Sequence, residues 1–172
     1  GVAFEGTYAY FAQGTTIQVV DWSSPTNPSA VSSLVTPSAI LSVALANESL
    51  YLSCADGLQV VEISDPANPR LVATIEQGRA ILSTRVRGQL AFLAAGYDGV
   101  RIVDIASPEQ PVEIASVALP GVVRDVVVME KMAYAITMFP SGSITAINIM
   151  QPHAPVVVAT APIAGMPQSA DA

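Results

Sequence analysis

An all-β fold of four repeated units is predicted for this 172-residue chain by three observations. The first is internal self-similarity. The segments Ile17–Pro28, Leu58–Pro69, Val100–Pro111 and Ile144–Pro155 align on the polar anchors Asp21, Glu62, Asp104 and Asn148, spaced 41, 42 and 44 residues apart. Eight of the 13 prolines fall in the Pro-x-x-Pro turns that end these segments. The second is strand chemistry: β-branched residues dominate, helical periodicity is absent, and Asp-Gly pairs punctuate the runs. The third is Leu58-Gln59-Val60-Val61, which carries apolar side chains on both faces of one strand, as in a sheet stacked between neighbours. Units of about 43 residues with four strands each, covered on both faces, are the pattern of β-propeller blades. The predicted architecture is a single propeller domain over 1–172, closing as a four-bladed ring or forming part of a larger one.

In chain order, the repeats run approximately over 1–36, 37–77, 78–119 and 120–164, with 165–172 starting a next inner strand or completing the first blade. Repeat one keeps only Gly1–Glu5 of its innermost strand, before the strand containing Tyr8-Ala9-Tyr10. Repeat two is the most complete, with strands expected near Ala39–Ala46, Ser49–Cys54, Leu58–Ile63 and Arg70–Ile75. Its hairpin Ala55-Asp56-Gly57 supplies the positive φ of a tight turn, and Tyr97-Asp98-Gly99 does the same in repeat three. Repeat four departs most: Asn148 replaces the acid, and Phe139-Pro140-Ser141-Gly142 replaces the Asp-Gly turn.

Two closures are open. Wrapping the ends together, Pro167 to Tyr8 spans as many positions as Pro37 to Leu50, which fits a small ring sealed by Gln168–Ala172 and Gly1–Glu5. Against this, such a closure splits one inner strand, and Gly1 occupies the position held by Asp125 in the fourth repeat. The preferred reading is an incomplete ring, finished by flanking sequence or a second copy, because uncovered blade faces are an aggregation liability.

Composition narrows the function. Charged residues make up 12% of the chain, about half the usual share. The net charge is −7 with a single lysine, Lys131, which excludes the basic footprint that nucleic acid requires. The lone Cys54 permits no internal disulfide framework. Apolar runs such as Val126–Met129 are far too short to span a membrane, and Gly1–Gly6 lacks the basic start of a signal peptide. The chain does not begin with Met, leaving room for flanking sequence.

The repeats Val19-Val20-Asp21, Val60-Val61-Glu62 and Ile102-Val103-Asp104, each followed by a Ser/Asp-Pro turn, resemble the LVIVD repeat. The Tyr8-Ala9-Tyr10 and Gln89–Phe92 strands and the inner-strand Arg124-Asp125-Val126 extend the resemblance over essentially the whole chain. It implies a β-propeller of bacterial or archaeal type, often exported or surface-attached, and no shared reaction. The corresponding location is extracellular or periplasmic.

Candidate sites follow from the same alignment. Asp21, Glu62, Asp104 and Asn148 read as turn anchors whose side chains accept a backbone N–H two residues on. Repeated once per blade, they cannot converge on one ion, so no metal site is assigned. Trp22 aligns with Ile63, Ile105 and Ile149 and reads as an apolar packing position. Cys54 reads as a buried thiol and His153 as decoration of a turn. The sharpest polar group is Arg85, Arg87, Arg124 and Asp125 on adjacent inner strands, either an anion-binding channel pocket or an internal ion pair such as Arg85 with Asp125. No nucleophile–base pair, metal cluster or phosphate loop is evident, and no cofactor is implied. The expected function is a non-enzymatic scaffold for protein or cell-surface partners. A ligand-binding or catalytic propeller, or a structural subunit of a larger assembly, are the alternatives.

Overall fold

Sixteen strands make up the computed structural model, which describes residues 1–75, 77–138 and 142–163. They form four antiparallel meanders of four strands each. The first sheet contains β1 (Val2–Glu5), β2 (Tyr8–Gln13), β3 (Thr16–Asp21) and β4 (Ser29–Val35). The second contains β5 (Ile40–Ala46), β6 (Ser49–Cys54), β7 (Gly57–Glu62) and β8 (Arg70–Ile75). The third contains β9 (Ser83–Arg87), β10 (Leu90–Ala94), β11 (Val100–Asp104) and β12 (Val112–Val117). The fourth contains β13 (Val123–Met129), β14 (Met132–Thr137), β15 (Ser143–Asn148) and β16 (Val156–Pro162). Strands of the second repeat lie within one residue of their expected bounds, because apolar, β-branched runs bounded by Gly or Pro turns fix them locally. The Phe139–Ser141 part of the unusual turn and the segment 165–172 lie outside the described residues.

Each sheet stacks on the next, and each junction has its own apolar cluster. Between the first and second sheets, Tyr10, Ile17 and Val19 meet Leu50, Leu52, Cys54, Val61 and Ile63. Between the second and third, Tyr51, Leu58 and Val60 meet Ala91, Leu93, Val103 and Ile105. Between the third and fourth, Phe92, Val100 and Ile102 meet Val126, Ala133, Ala135, Ile147 and Ile149. Strand β6 shows the consequence: Leu50, Leu52 and Cys54 point into one junction while Tyr51 points into the next, and all six residues are buried. That is why hydrophobic residues occur at nearly every position of the middle blades rather than every other one.

Among the described residues no such cluster joins the fourth sheet to the first. The described sheets form an open arc, and among the described residues nothing covers the two terminal faces, which are apolar. Phe4, Phe11 and Val35 on the first sheet, and Ile144, Val156 and Val158 on the fourth, are exposed. Strand β16 is exposed at all seven residues.

One expectation fails at its end position. Ile63, Ile105 and Ile149 are buried, yet Trp22, their counterpart, is 40% exposed. Its backbone is not at fault, since Trp22 N–H donates to Thr7 O just as Ile63 donates to Glu48 O, Ile105 to Gln89 O and Ile149 to Lys131 O. Each buried isoleucine packs against the sheet before its own. Trp22 belongs to the first sheet, and no described sheet packs on that side of it.

Candidate functional site: the channel recess

The innermost strands β5, β9 and β13 sit side by side, and their equivalent positions face one recess of about 440 Å³. It is lined by Leu41, Ser42, Leu82, Ser83, Arg85, Arg124 and Asp125. Leu41, Leu82 and Arg124 are repeat equivalents, as are Ser42, Ser83 and Asp125. The register shifts at Leu41 and again at Arg124, placing both residues on β-bulges. A bulge re-aims the extra side chain away from the ladder, which brings Arg124 to the recess wall although its neighbour Asp125 lines the same wall.

Asp125 organises the polar side. Its carboxylate is almost fully buried, with 5% of its side chain exposed. Oδ1 accepts from Ser83 Oγ at 2.6 Å and from the Val126 N–H at 2.9 Å, and Oδ2 accepts from Arg85 Nη2 at 3.2 Å. Sequence reasoning placed Arg85 near Asp125, and the ion pair forms. Donors such as these around the carboxylate supply what burial of its charge demands. Arg85 keeps about a third of its side chain exposed toward the recess, and Arg124 is exposed. Arg87, at the far end of β9, does not line it. Ser83 and Ser42 were not singled out from sequence, although their alignment with Asp125 was the available signal.

The turn anchors lie far from this recess, one per blade. Asp21 Oδ1 accepts the Ser23 N–H at 2.7 Å, Asp104 Oδ1 the Ala106 N–H at 2.9 Å, and Asn148 Oδ1 the Met150 N–H at 2.9 Å. Glu62 differs because its longer side chain reaches past the backbone. It accepts from Ser64 Oγ at 3.1 Å and pairs with Arg70, whose hydrogen bond holds the Glu62 carboxyl below its ordinary range. Asp65 is held low as well, by Asn68 Nδ2 and then the Ala67 N–H. Cys54 is fully buried, and desolvation pushes its thiol up to about 11. No group of three or more His, Cys, Asp or Glu that could hold a metal occurs among the described residues, and no helix there is long and apolar enough to cross a membrane.

The sequence matches the LVIVD repeat over residues 1–36, 42–76 and 81–118. The chain belongs to the LVIVD repeat family. The three matches cover the first three sheets, while the fourth LVIVD-like blade, with Asn148 in place of the acid, lies beyond them. No curated protein matches the sequence. Among solved structures, a functionally unknown protein from Desulfotomaculum acetoxidans superposes with a TM-score of 0.78 at 11% identity, over 98% of this chain and 57% of that one. The computationally designed Ika8 protein gives 0.71 at 15%, over 93% and 48%. The N-terminal domain of Nup159 gives 0.62 at 10%, over 91% and 42%. At these identities the likeness shows the propeller fold alone. This LVIVD chain spans 42 to 57% of the length of these three solved chains.

Proposed function

We propose that the chain is a non-enzymatic propeller scaffold, placed in an extracellular or periplasmic setting, whose terminal blade faces and edges engage protein partners. The observation that carries this reading is the pair of uncovered apolar faces, with Phe4, Phe11 and Trp22 at one end and Ile144, Val156 and Val158 at the other. Contiguous exposed apolar surface on a chain otherwise built of buried sheet is what partner-binding faces look like. The low share of charged residues fits, since a surface destined to be covered needs little charge. The test is photo-cross-linking from positions 11 and 144 in the cells that make the protein. Adducts to a defined protein, or to another copy, support the reading; a chain that forms none at either position overturns it.

A second reading is favoured by the recess. Two guanidiniums beside a cavity of about 440 Å³ are an anion-binding arrangement in a chain of net charge −7. On that reading the recess takes a small carboxylate or phosphate. Titration with such anions, repeated on Arg85→Ala and Arg124→Ala, decides it: binding that both substitutions leave unchanged removes the recess from consideration.

A further inference from the structure

We propose that two copies of this chain close on each other into one ring of eight sheets, with the first-sheet face that carries Trp22 of each packed on the fourth-sheet face that carries Tyr134 and Ile144 of the other. The inference deepens the scaffold reading and rests on it.

Every junction inside the chain is the same contact repeated. On one side stand an aromatic and two apolar residues of β2–β3 type: Tyr10, Ile17 and Val19, then Tyr51, Leu58 and Val60, then Phe92, Val100 and Ile102. Each of these nine is at most 1% exposed. The equivalent trio of the fourth sheet is Tyr134, Ile144 and Ala146, and there Tyr134 and Ala146 are half-buried and Ile144 is exposed. On the other side of each junction stands a residue of the following sheet that closes it: Ile63, Ile105 and Ile149, all buried. The equivalent on the first sheet is Trp22, and the same sheet also carries Phe11 at 37% exposure and the half-buried Val20.

The two terminal faces are therefore the two unmatched halves of a contact the molecule makes three times. What fits the fourth sheet is a face of first-sheet type, and a second copy carries one. Its own fourth sheet then presents the matching half back to the first copy, so the two contacts are identical and related by a two-fold axis, and both exposed faces are covered. The size agrees for the designed protein: this chain matches 48% of it, and a second copy supplies a stretch of about the remaining length.

Trp22 is the only tryptophan, so its emission reports on the junction directly. Sedimentation equilibrium and fluorescence over a dilution series form the test. A species of about 36 kDa, twice the 17.8 kDa chain, is expected, with Trp22 emission moving to longer wavelength as it dissociates. Ile144→Glu on one face and Phe11→Lys on the other each weaken association by about 30-fold or more, as loss of an interface hot spot does. Both sites are exposed within the single chain, so far-UV circular dichroism stays unchanged. A 17.8 kDa species with exposed Trp22 at every concentration overturns the proposal. A 17.8 kDa species with shielded Trp22 also overturns it, by showing closure within one chain, and masses beyond two copies exclude the eight-sheet ring. A monomer that cross-links to a different protein from position 144 overturns the second copy while leaving the scaffold reading standing.

Discussion

Removing the Asp125 carboxylate tests whether the recess is held together as described. Asp125→Ala deletes one acceptor and strands the donors around it. Val126 is fully buried, so its N–H loses its partner without replacement, while Ser83, at 6% residue exposure, borders the recess and regains only part of its hydrogen bonding from water. Leaving such groups unsatisfied costs about 1–3 kcal/mol each. Arg85, about a third exposed, rehydrates through the recess and adds little. The sum is about 3 kcal/mol, at the low end of what breaking a buried ion pair costs. Asp125→Asn retains an oxygen for Ser83 or Val126 and costs about half as much. Urea unfolding followed by circular dichroism and by Trp22 fluorescence gives the measurement, with coincident curves required because repeat arrays do not always unfold in one step. At a slope of about 2 kcal/mol per molar urea, Asp125→Ala lowers the midpoint by about 1.5 M. A shift under about 0.5 M, or an Asn variant as unstable as the Ala variant, refutes the assignment.

Three further outcomes are expected. Gly99 has φ +81° and an added Cβ would lie 2.1 Å from Val117 O, whereas Gly6 at φ +57° has open space. Thermal unfolding should therefore place Gly99→Ala well below Gly6→Ala, whose cost is about 1 kcal/mol. Asp104→Ala frees the Ala106 N–H and costs about 1 kcal/mol in the same assay, a turn-scale loss that leaves the recess and any anion binding untouched. Burial raises the Cys54 thiol to about 11 and Tyr10 to about 12, above their ordinary 9.0 and 10.0. The unfolded chain thus releases these protons first, so stability is full below pH 9 and falls as pH rises through 9 to 12. Native Cys54 accordingly resists maleimide at pH 8 and reacts on unfolding; rapid labelling of the folded chain would contradict its burial.

The blades were legible because their signals are local. Pro-x-x-Pro turns, Asp-Gly hairpins and apolar runs such as Leu58–Val61 fix strand ends and face coverage within a single repeat. The ion pair of Arg85 with Asp125 was legible for a related reason, since both stand on inner strands that the repeat places side by side. The fate of Trp22 was not, because alignment gives a position's role within a blade but not whether a neighbouring blade is there to fill it. The route of Arg124 to the recess was hidden too. It depends on a bulge at Arg124, and the same shift at Leu41 carries an apolar residue, so no side-chain pattern marks it. Ser83 shows the third kind of omission: its hydroxyl matters only through the 2.6 Å bond to Asp125 in the next blade.

The central claim is that four stacked sheets form an open arc whose ends are the two halves of one repeated contact. A crystal structure of the isolated 172-residue chain tests it most directly. The first and fourth sheets of one chain are expected to stay apart, each packed on the complementary sheet of a second copy, with Trp22 buried on the fourth-sheet face that carries Tyr134 and Ile144. A single chain whose fourth sheet packs on its own first sheet would contradict it.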